Sequence, residues 1–353
     1  MSPPTRFEHP QSTEISQLSN KEIRSEGPSR HSLAILAGLV LLVVGRTVFW
    51  AEGGGPAFLL AQVLDQDTSE QHVYDGARAI IEYSHAELLS AVPEIRRLRT
   101  AESQKELPRI LGKVGANVEA LLDGFPNLVS REDVTQQRIR INRSGAVQTQ
   151  RLEPFSYMIL AHESRAKVHL EEYRTDSKGK RSKLQQLERD FCLTEGFATL
   201  WTLFNPGNRL AASFRLLGPE ELDGHKTDLV AFAQRPGWAT VVGRAMANGK
   251  SVLILYQGIA WIDVPTYQII RMRTDMLAPR WDVGLRKQTT EVDFGEVRLP
   301  EVATPLWLPQ TVVVTTSLNG ETLRNEHRYT NYRLFRVEST IKPIESGETV
   351  PKN

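Results

Sequence analysis

The densest run of chemistry-bearing side chains in this sequence is Ala161-His-Glu-Ser-Arg-Ala-Lys-Val-His-Leu-Glu-Glu-Tyr173. Imidazole nitrogens and carboxylate oxygens are ligands for zinc and partners in acid–base hydrolysis. His162, His169, Glu171 and Glu172 are therefore the first residues to weigh. Side chains two apart on a strand share a face. His169, Glu171 and Tyr173 then point one way, beside Arg165 and Lys167, while Val168 and Leu170 point to a core. A face mixing acid, base and histidine opposite an apolar face is the solvated side of a half-buried sheet. This reading disfavours a metal and leaves Glu171 or His169 as the footing for a hydrolase of unknown type.

Other candidates are weaker. Asp223-Gly-His225 with Asp228 could pair an acid with a base, yet Glu221-Leu-Asp-Gly-His-Lys226 is also a good turn ahead of a strand. The single cysteine, Cys192 in Phe-Cys-Leu, has no neighbouring histidine and excludes an intramolecular disulfide and a multi-thiolate zinc site. There is no Gly-x-Ser-x-Gly elbow, phosphate-binding loop or His-Glu-x-x-His pair. Lysine and arginine number 43 against 42 acidic residues, so no global positive field draws in a nucleic acid. The reading is of a non-catalytic protein without a cofactor.

Aromatic residues are more informative. Trp201, Phe204, Phe214, Phe232, Trp261 and Trp307, with Met272, concentrate in extended stretches and one mid-chain segment. They either fill a core or line an apolar pocket for a hydrophobic ligand. Trp201, Phe204, Trp261 and Met272 are the pocket candidates.

The elements that would position them follow from periodicity. Residues 1–31 are polar and proline-bearing, a disordered leader. Leu33 to Val44 is a continuous apolar run between Arg30 and Arg46, shorter than the roughly 20 residues a bilayer span needs. It reads as a signal peptide cleaved near Ala51-Glu-Gly53 or as a retained anchor, so residues 32–53 imply export to the periplasm or cell envelope, with the inner membrane as a partner if uncut. Residues 57–130 read as helical: Val73, Ala77, Ile80, Ile81, Leu88, Leu89 and Val92 share one helical face, and a second helix from Pro108 carries Ile110, Val114 and Val118 and ends before Gly124. From about Val134 the period becomes 2. Asn248-Gly249 and Asn319-Gly320 each predict an antiparallel hairpin, the first joining Ala239–Val242 to Ser251–Tyr256 and the second joining Thr311–Thr315 to Thr322–Tyr329. Glu195 to Phe204, with Phe197, Leu200, Trp201 and Phe204 spaced i, i+3, i+4, i+7, predicts a helix between strands. Residues 342–353 form a polar tail.

The order of segments also resembles a family. Gly218-Pro-Glu-Glu-Leu-Asp-Gly-His-Lys-Thr-Asp, Trp261-Ile-Asp263 with Arg271, Leu306-Trp-Leu-Pro309 and Arg324-Asn-Glu-His-Arg-Tyr-Thr-Asn-Tyr-Arg-Leu-Phe335 resemble uncharacterised bacterial exported proteins. Their pattern is in turn similar to the outer-membrane lipoprotein-sorting superfamily of LolA-like and RseB-like proteins. The resemblance implies an α+β fold in residues 131–341: an antiparallel, curved, open half-barrel with packed helices, holding a lipid or lipidated peptide. The long stretch Val73 to Asp123 departs from the small carriers. It leaves open a second function, a membrane-tethered sensor or protein-interaction domain whose contact surface those helices form.

Overall fold

The computed structural model describes residues 72–140, 147–164, 167–181, 196–239, 241–247 and 250–335. The leader, the hydrophobic run, Cys192 and the tail lie outside them. Thirteen strands are described: β1 (Leu128–Arg140), β2 (Val147–Arg151), β3 (Phe155–Ser164), β4 (Lys167–Thr175), β5 (Ala212–Leu222), β6 (His225–Gln234), β7 (Gly243–Ala247), β8 (Lys250–Ile254), β9 (Tyr256–Asp263), β10 (Ile269–Met276), β11 (Leu285–Val297), β12 (Leu306–Leu318) and β13 (Glu321–Leu334). Eleven form one antiparallel sheet in the order β4-β3-β1-β13-β12-β11-β10-β9-β6-β5, with β2 paired to β1, and β7–β8 form a separate hairpin. The first and last strands do not meet, so the sheet is unclosed. Its curvature has local causes. Register shifts at Val129/Arg131, Leu216/Gly218, Ile269/Arg271 and Asp293/Phe294 each insert a residue that bends a strand.

Two helices are described, α1 (His85–Ala91) and α2 (Leu107–Leu122). The boundaries of α2 follow the sequence signals: Pro108 occupies its first turn, where a missing N–H costs nothing, and Gly124 at φ 74° follows its end. Ile110, Val114 and Val118 form its buried stripe. The helix predicted across Val73 to Val92 is instead broken into the 3-10 turns His72–Tyr74 and Ile80–Glu82 and the short α1. Gly76 at φ 75° and extended backbone at Ala79 and Tyr83 interrupt it. Ser84 then restarts a helix through a capping box, its Oγ accepting the Glu87 N–H at 3.3 Å while Glu87 accepts the Ser84 N–H at 2.7 Å. The sheet also begins earlier than expected, at Leu128, inside the segment read as helical.

Each strand serves two faces. On the inner face, α2 and residues 197–204 pack on Leu128, Ile159, Leu216, Val230, Phe232, Ala260, Met272, Val292 and Val312. On the outer face, Ile80, Leu88, Val92, Ile95 and Leu98 cover Leu217, Leu229, Ala231, Ile259 and Trp261. The apolar sides of the described elements between Val73 and Asp123 are therefore buried against the sheet.

The Asn319-Gly320 hairpin is as predicted, with φ of 52° and 81° at the turn and β12 paired to β13 through Leu318↔Glu321. The earlier hairpin forms as β7–β8 with Ala247↔Lys250; Asn248-Gly249 lies outside the described residues, and Ala239, Val241 and Val242 are not in a strand. Asp223 and Gly224, at φ 51° and 84°, make the β5–β6 turn, so Asp223-Gly-His225 is hairpin geometry.

Candidate functional site

The expected cluster on β4 is divided by the pleat. Glu171 lies on the solvent side, taking Arg181 at 2.7 Å and exposed His162 at 3.0 Å, while the side chain of His169 lies outside the described residues. Glu172 points the other way, into the inner face. No group of histidine, cysteine, aspartate and glutamate with metal-ligating arrangement occurs among the described residues.

What the inner face of β4, β3, β1 and β13 holds is a buried polar network. Glu132 on β1 is inaccessible to solvent and accepts from Arg174 Nε at 2.5 Å and Nη2 at 2.7 Å, from His327 Nδ1 at 2.8 Å and from Tyr329 Oη at 2.7 Å. Burial alone would raise its pKa, but the Arg174 charge and the Arg174 and His327 hydrogen bonds bring it down to about 2. Burial lowers His327, outweighing its bond to Glu132, so the imidazole is neutral and donates from Nδ1. The Arg174 guanidinium also lies 5.2 Å from the Tyr157 ring centroid.

Beside this network stands Glu172, whose carboxylate accepts Tyr157 Oη–H at 2.5 Å and the backbone N–H groups of Ala198 at 3.1 Å and Thr199 at 2.9 Å. Burial raises its pKa despite these bonds. They fasten the start of a strap, residues 196–211, that crosses the inner face. Its first part is the 3-10 turn Leu200–Phe204, shorter than the helix predicted from Glu195. Gly196 at φ 92° precludes helix there, Glu172 takes up the next N–H groups, and Asn205-Pro206 ends the turn. The predicted stripe nonetheless faces inward: Phe197, Leu200, Trp201 and Phe204 are all buried. Phe204 meets Phe214 and Phe232 with ring centroids 5.4 and 5.7 Å apart, and Trp201 meets Phe125 at 6.4 Å. The far end of the strap is tied to α2. Arg209 donates to the Leu111 carbonyl at 2.5 Å, and Gly115 leaves room for Pro206 and Arg209.

The interior is full. A cavity of about 20 Å³ remains among Val114, Val118, Trp201, Ile269, Phe294 and Trp307, room for roughly one water. Trp201 Nε1, buried beside it, has no acceptor among the described residues, an uncommon condition for a buried indole.

Trp201, Phe204 and Met272 therefore come together on the inner face; Trp261 does not. The register Met272↔Ala260 and Arg271↔Trp261 puts the indole on the outer face. There it floors a groove of about 500 Å³ bordered by Arg96, Arg97, Glu220, Glu221 and Arg271, and Nε1 donates to Glu220 at 3.1 Å. The buried network is what sequence reading missed. Its signal was available: Leu170, Glu172 and Arg174 are in phase on β4, and Leu323, Asn325, His327 and Tyr329 on β13. Charged residues in phase with core residues mark a buried network rather than a solvated face.

No family model matches the chain, and no curated protein matches it in sequence. Among solved structures it is similar to an outer membrane lipoprotein-sorting protein domain from Vibrio parahaemolyticus, at 11% identity over 64% of this chain and 91% of that one, with a TM-score of 0.32. It is similar to a DUF1329 family protein from Desulfovibrio piger ATCC 29098, at 11% identity over 65% and 94%, with a TM-score of 0.33. A LolA superfamily protein from Nitrosomonas europaea gives 12% identity over 62% and 94%, with a TM-score of 0.26.

Proposed function

We propose that the inner face of the sheet binds a hydrophobic chain, the acyl group of a lipid or lipidated peptide, in place of the side chains of Leu200–Phe204, and does no chemistry on it. The observation that carries the reading is the nature of what fills that face. Leu200, Trp201, Leu203 and Phe204 are presented by a single short turn whose own hydrogen bonds are local, Thr202 N–H to Thr199 and Asn205 N–H to Thr202, both 3.0 Å. The turn makes no ladder with the sheet, so it can leave without breaking strand pairing. Each such side chain is worth roughly 1.5–3 kcal/mol of burial, and each methylene of an entering chain about 0.8 kcal/mol. An acyl chain of ordinary length therefore matches what it displaces. Trp201 Nε1 adds a polar atom that a ligand oxygen would satisfy. Delivery to the envelope belongs to this reading and rests on the apolar run Leu33 to Val44; no helix among the described residues is long and apolar enough to cross a membrane.

Native mass spectrometry of protein extracted from membranes is expected to show a co-purifying lipid, and a fluorescent fatty acid is expected to bind. Leu203→Ala, which weakens the turn's hold, should bind the probe more tightly than wild type. Protein that carries no lipid and leaves the probe free in both forms contradicts the reading. The filled interior favours one second reading, a sensor or protein-interaction domain with a structural core, and that is the result such an outcome would support.

A further inference from the structure

We infer that one end of the sheet, bearing Leu210, Trp238 and Trp281, is a docking surface for an anionic lipid bilayer. The pairs Ala212↔Gln234, Ala233↔Gln257, Tyr256↔Met276 and Leu285↔Leu318 place the start of β5, the end of β6, the start of β9, the end of β10, the start of β11 and the end of β12 at a common end. Leu210 precedes β5, Trp238 follows β6 and Trp281 joins β10 to β11. Their exposures are 72%, 57% and 66%. Five large apolar side chains are strongly exposed among the described residues, and the fourth at this end is Val147, paired to Ile139 near the end of β1; only Val264 lies at the other. Singly exposed apolar residues are ordinary, but their concentration at one end, including both exposed tryptophans, is not.

These side chains are presented rigidly. The Arg235 N–H bonds the Ala211 carbonyl at 2.9 Å and the Trp238 N–H bonds the Arg235 carbonyl at 3.0 Å, with buried Ala211 and Ala239 beside them. Arg280, next to Trp281, is buried and exchanges backbone hydrogen bonds with Leu285 at 2.8 and 3.0 Å. The backbone is therefore fixed by the core while the side chains project outward.

Charge selects the occupant. Arg235, Arg244 and Arg286 are exposed at this end and have no carboxylate partner among the described residues; the Arg286 guanidinium lies 5.5 Å from the Trp281 ring centroid. Among carboxylates near this end, Asp282 is paired with Arg280 at 2.8 and 2.9 Å and Glu321 with Arg138 at 3.4 Å, while Asp75, bonded to His72 at 2.9 Å, keeps its charge and is outnumbered by the three arginines. Indole rings with neighbouring arginines match the headgroup layer of a membrane, where tryptophan settles and anionic lipid attracts each cation. The inference holds whether or not the inner face takes a ligand.

The test uses the full chain in vesicles of brominated phosphatidylcholine with phosphatidylglycerol, reading tryptophan quenching rather than attachment, because the Leu33 to Val44 run can attach by itself. Trp50→Phe serves as the background, removing the indole nearest that run. Adding Trp238→Phe and Trp281→Phe, both at exposed positions, is expected to abolish most of the bromolipid-dependent quenching with the circular dichroism unchanged. Replacing phosphatidylglycerol by neutral lipid is expected to weaken quenching in the background protein. Quenching that survives loss of both tryptophans, or that ignores lipid charge, overturns the inference. So does absence of quenching in anionic vesicles, the result expected if this end serves a protein partner.

Discussion

Replacing Glu132 by alanine is the sharpest probe of the inner face. In the folded protein its carboxylate is the acceptor for two guanidinium N–H groups, an imidazole and a phenol, and neither Glu132 nor Arg174 is more than 2% exposed. Removing it leaves the Arg174 cation in a dry interior without its counter-charge, and breaking one partner of a buried pair costs about 3–5 kcal/mol. With a urea m-value of about 3 kcal/mol per M, the unfolding midpoint should fall by roughly 1 to 2 M. The mechanism makes a second, stricter demand. If the loss comes from a stranded charge, Glu132→Leu combined with Arg174→Met should recover much of it, because both desolvated ions are then absent. Urea titration of wild type, Glu132→Leu, Arg174→Met and the double variant, followed by circular dichroism, gives the coupling energy directly. A midpoint shift below about 0.3 M for the single variant, or a double variant less stable than Glu132→Ala, would refute the argument that Glu132 and Arg174 form a buried, mutually dependent pair.

Two titrations of opposite sign set the pH profile. His327 has a folded pKa below the usual 6.5, so the unfolded chain takes up that proton first and stability declines as the pH falls below about 6.5. Glu291 on β11 is pushed up to about 7 by burial and by sharing a hydrogen bond with Glu94, so its proton is held in the folded state above 4.5 and that contribution is lost as the pH rises through 7. Below about pH 6.5 the two contributions therefore oppose each other, and from there to about pH 7 only the loss at Glu291 remains; Glu291→Gln should leave urea midpoints rising from acid pH to about 6.5, His327→Asn should leave them falling from about pH 4.5 to 7, and the reverse slopes contradict the assignments. At Gly258 on β9, an added Cβ would overlap the Arg273 carbonyl and Thr274 backbone of β10. Gly258→Ala should lower the thermal midpoint by several degrees, about 1–3 kcal/mol of overpacking, while Gly112→Ala, with nothing within 4 Å, should not lower it.

Local signals were legible and long-range ones were not. The Asn319-Gly320 turn requires positive φ at both residues, and Pro108 and Gly124 bracket α2, so each could be read from a few neighbouring residues. The strap shows where such reading fails. The spacing of Phe197, Leu200, Trp201 and Phe204 names the buried side correctly, but its conformation is set by Glu172, 26 and 27 residues away, which takes the N–H groups that a helix start would leave free. Separation is also why the network stayed hidden: Arg174 and His327 lie 42 and 195 residues from Glu132. The misplacement of Trp261 has a simpler origin. Strand faces are known only once register is known, and one residue of slip exchanges Trp261 for Ala260.

The division of the inner face bears on how the proposed ligand would enter. The strap is held at its start by polar bonds from Glu172 and Tyr157, in its middle by apolar contact of Leu200 to Phe204, and at its end by the bond from its own Arg209 to the Leu111 carbonyl of α2. An acyl chain can replace the middle contact, since it offers the sheet the same kind of surface. It cannot replace the first, because an entering methylene leaves the Glu172 carboxyl and the Ala198 and Thr199 N–H groups unpaired at a cost of about 1–3 kcal/mol each. The Glu172 end is therefore the fixed point about which the strap would move, and the apolar half under β5, β6, β9 and β10 is where a chain would lie. Under the proposed function, two kinds of core share one sheet face because the polar part roots the strap and the apolar part is what an entering chain would displace.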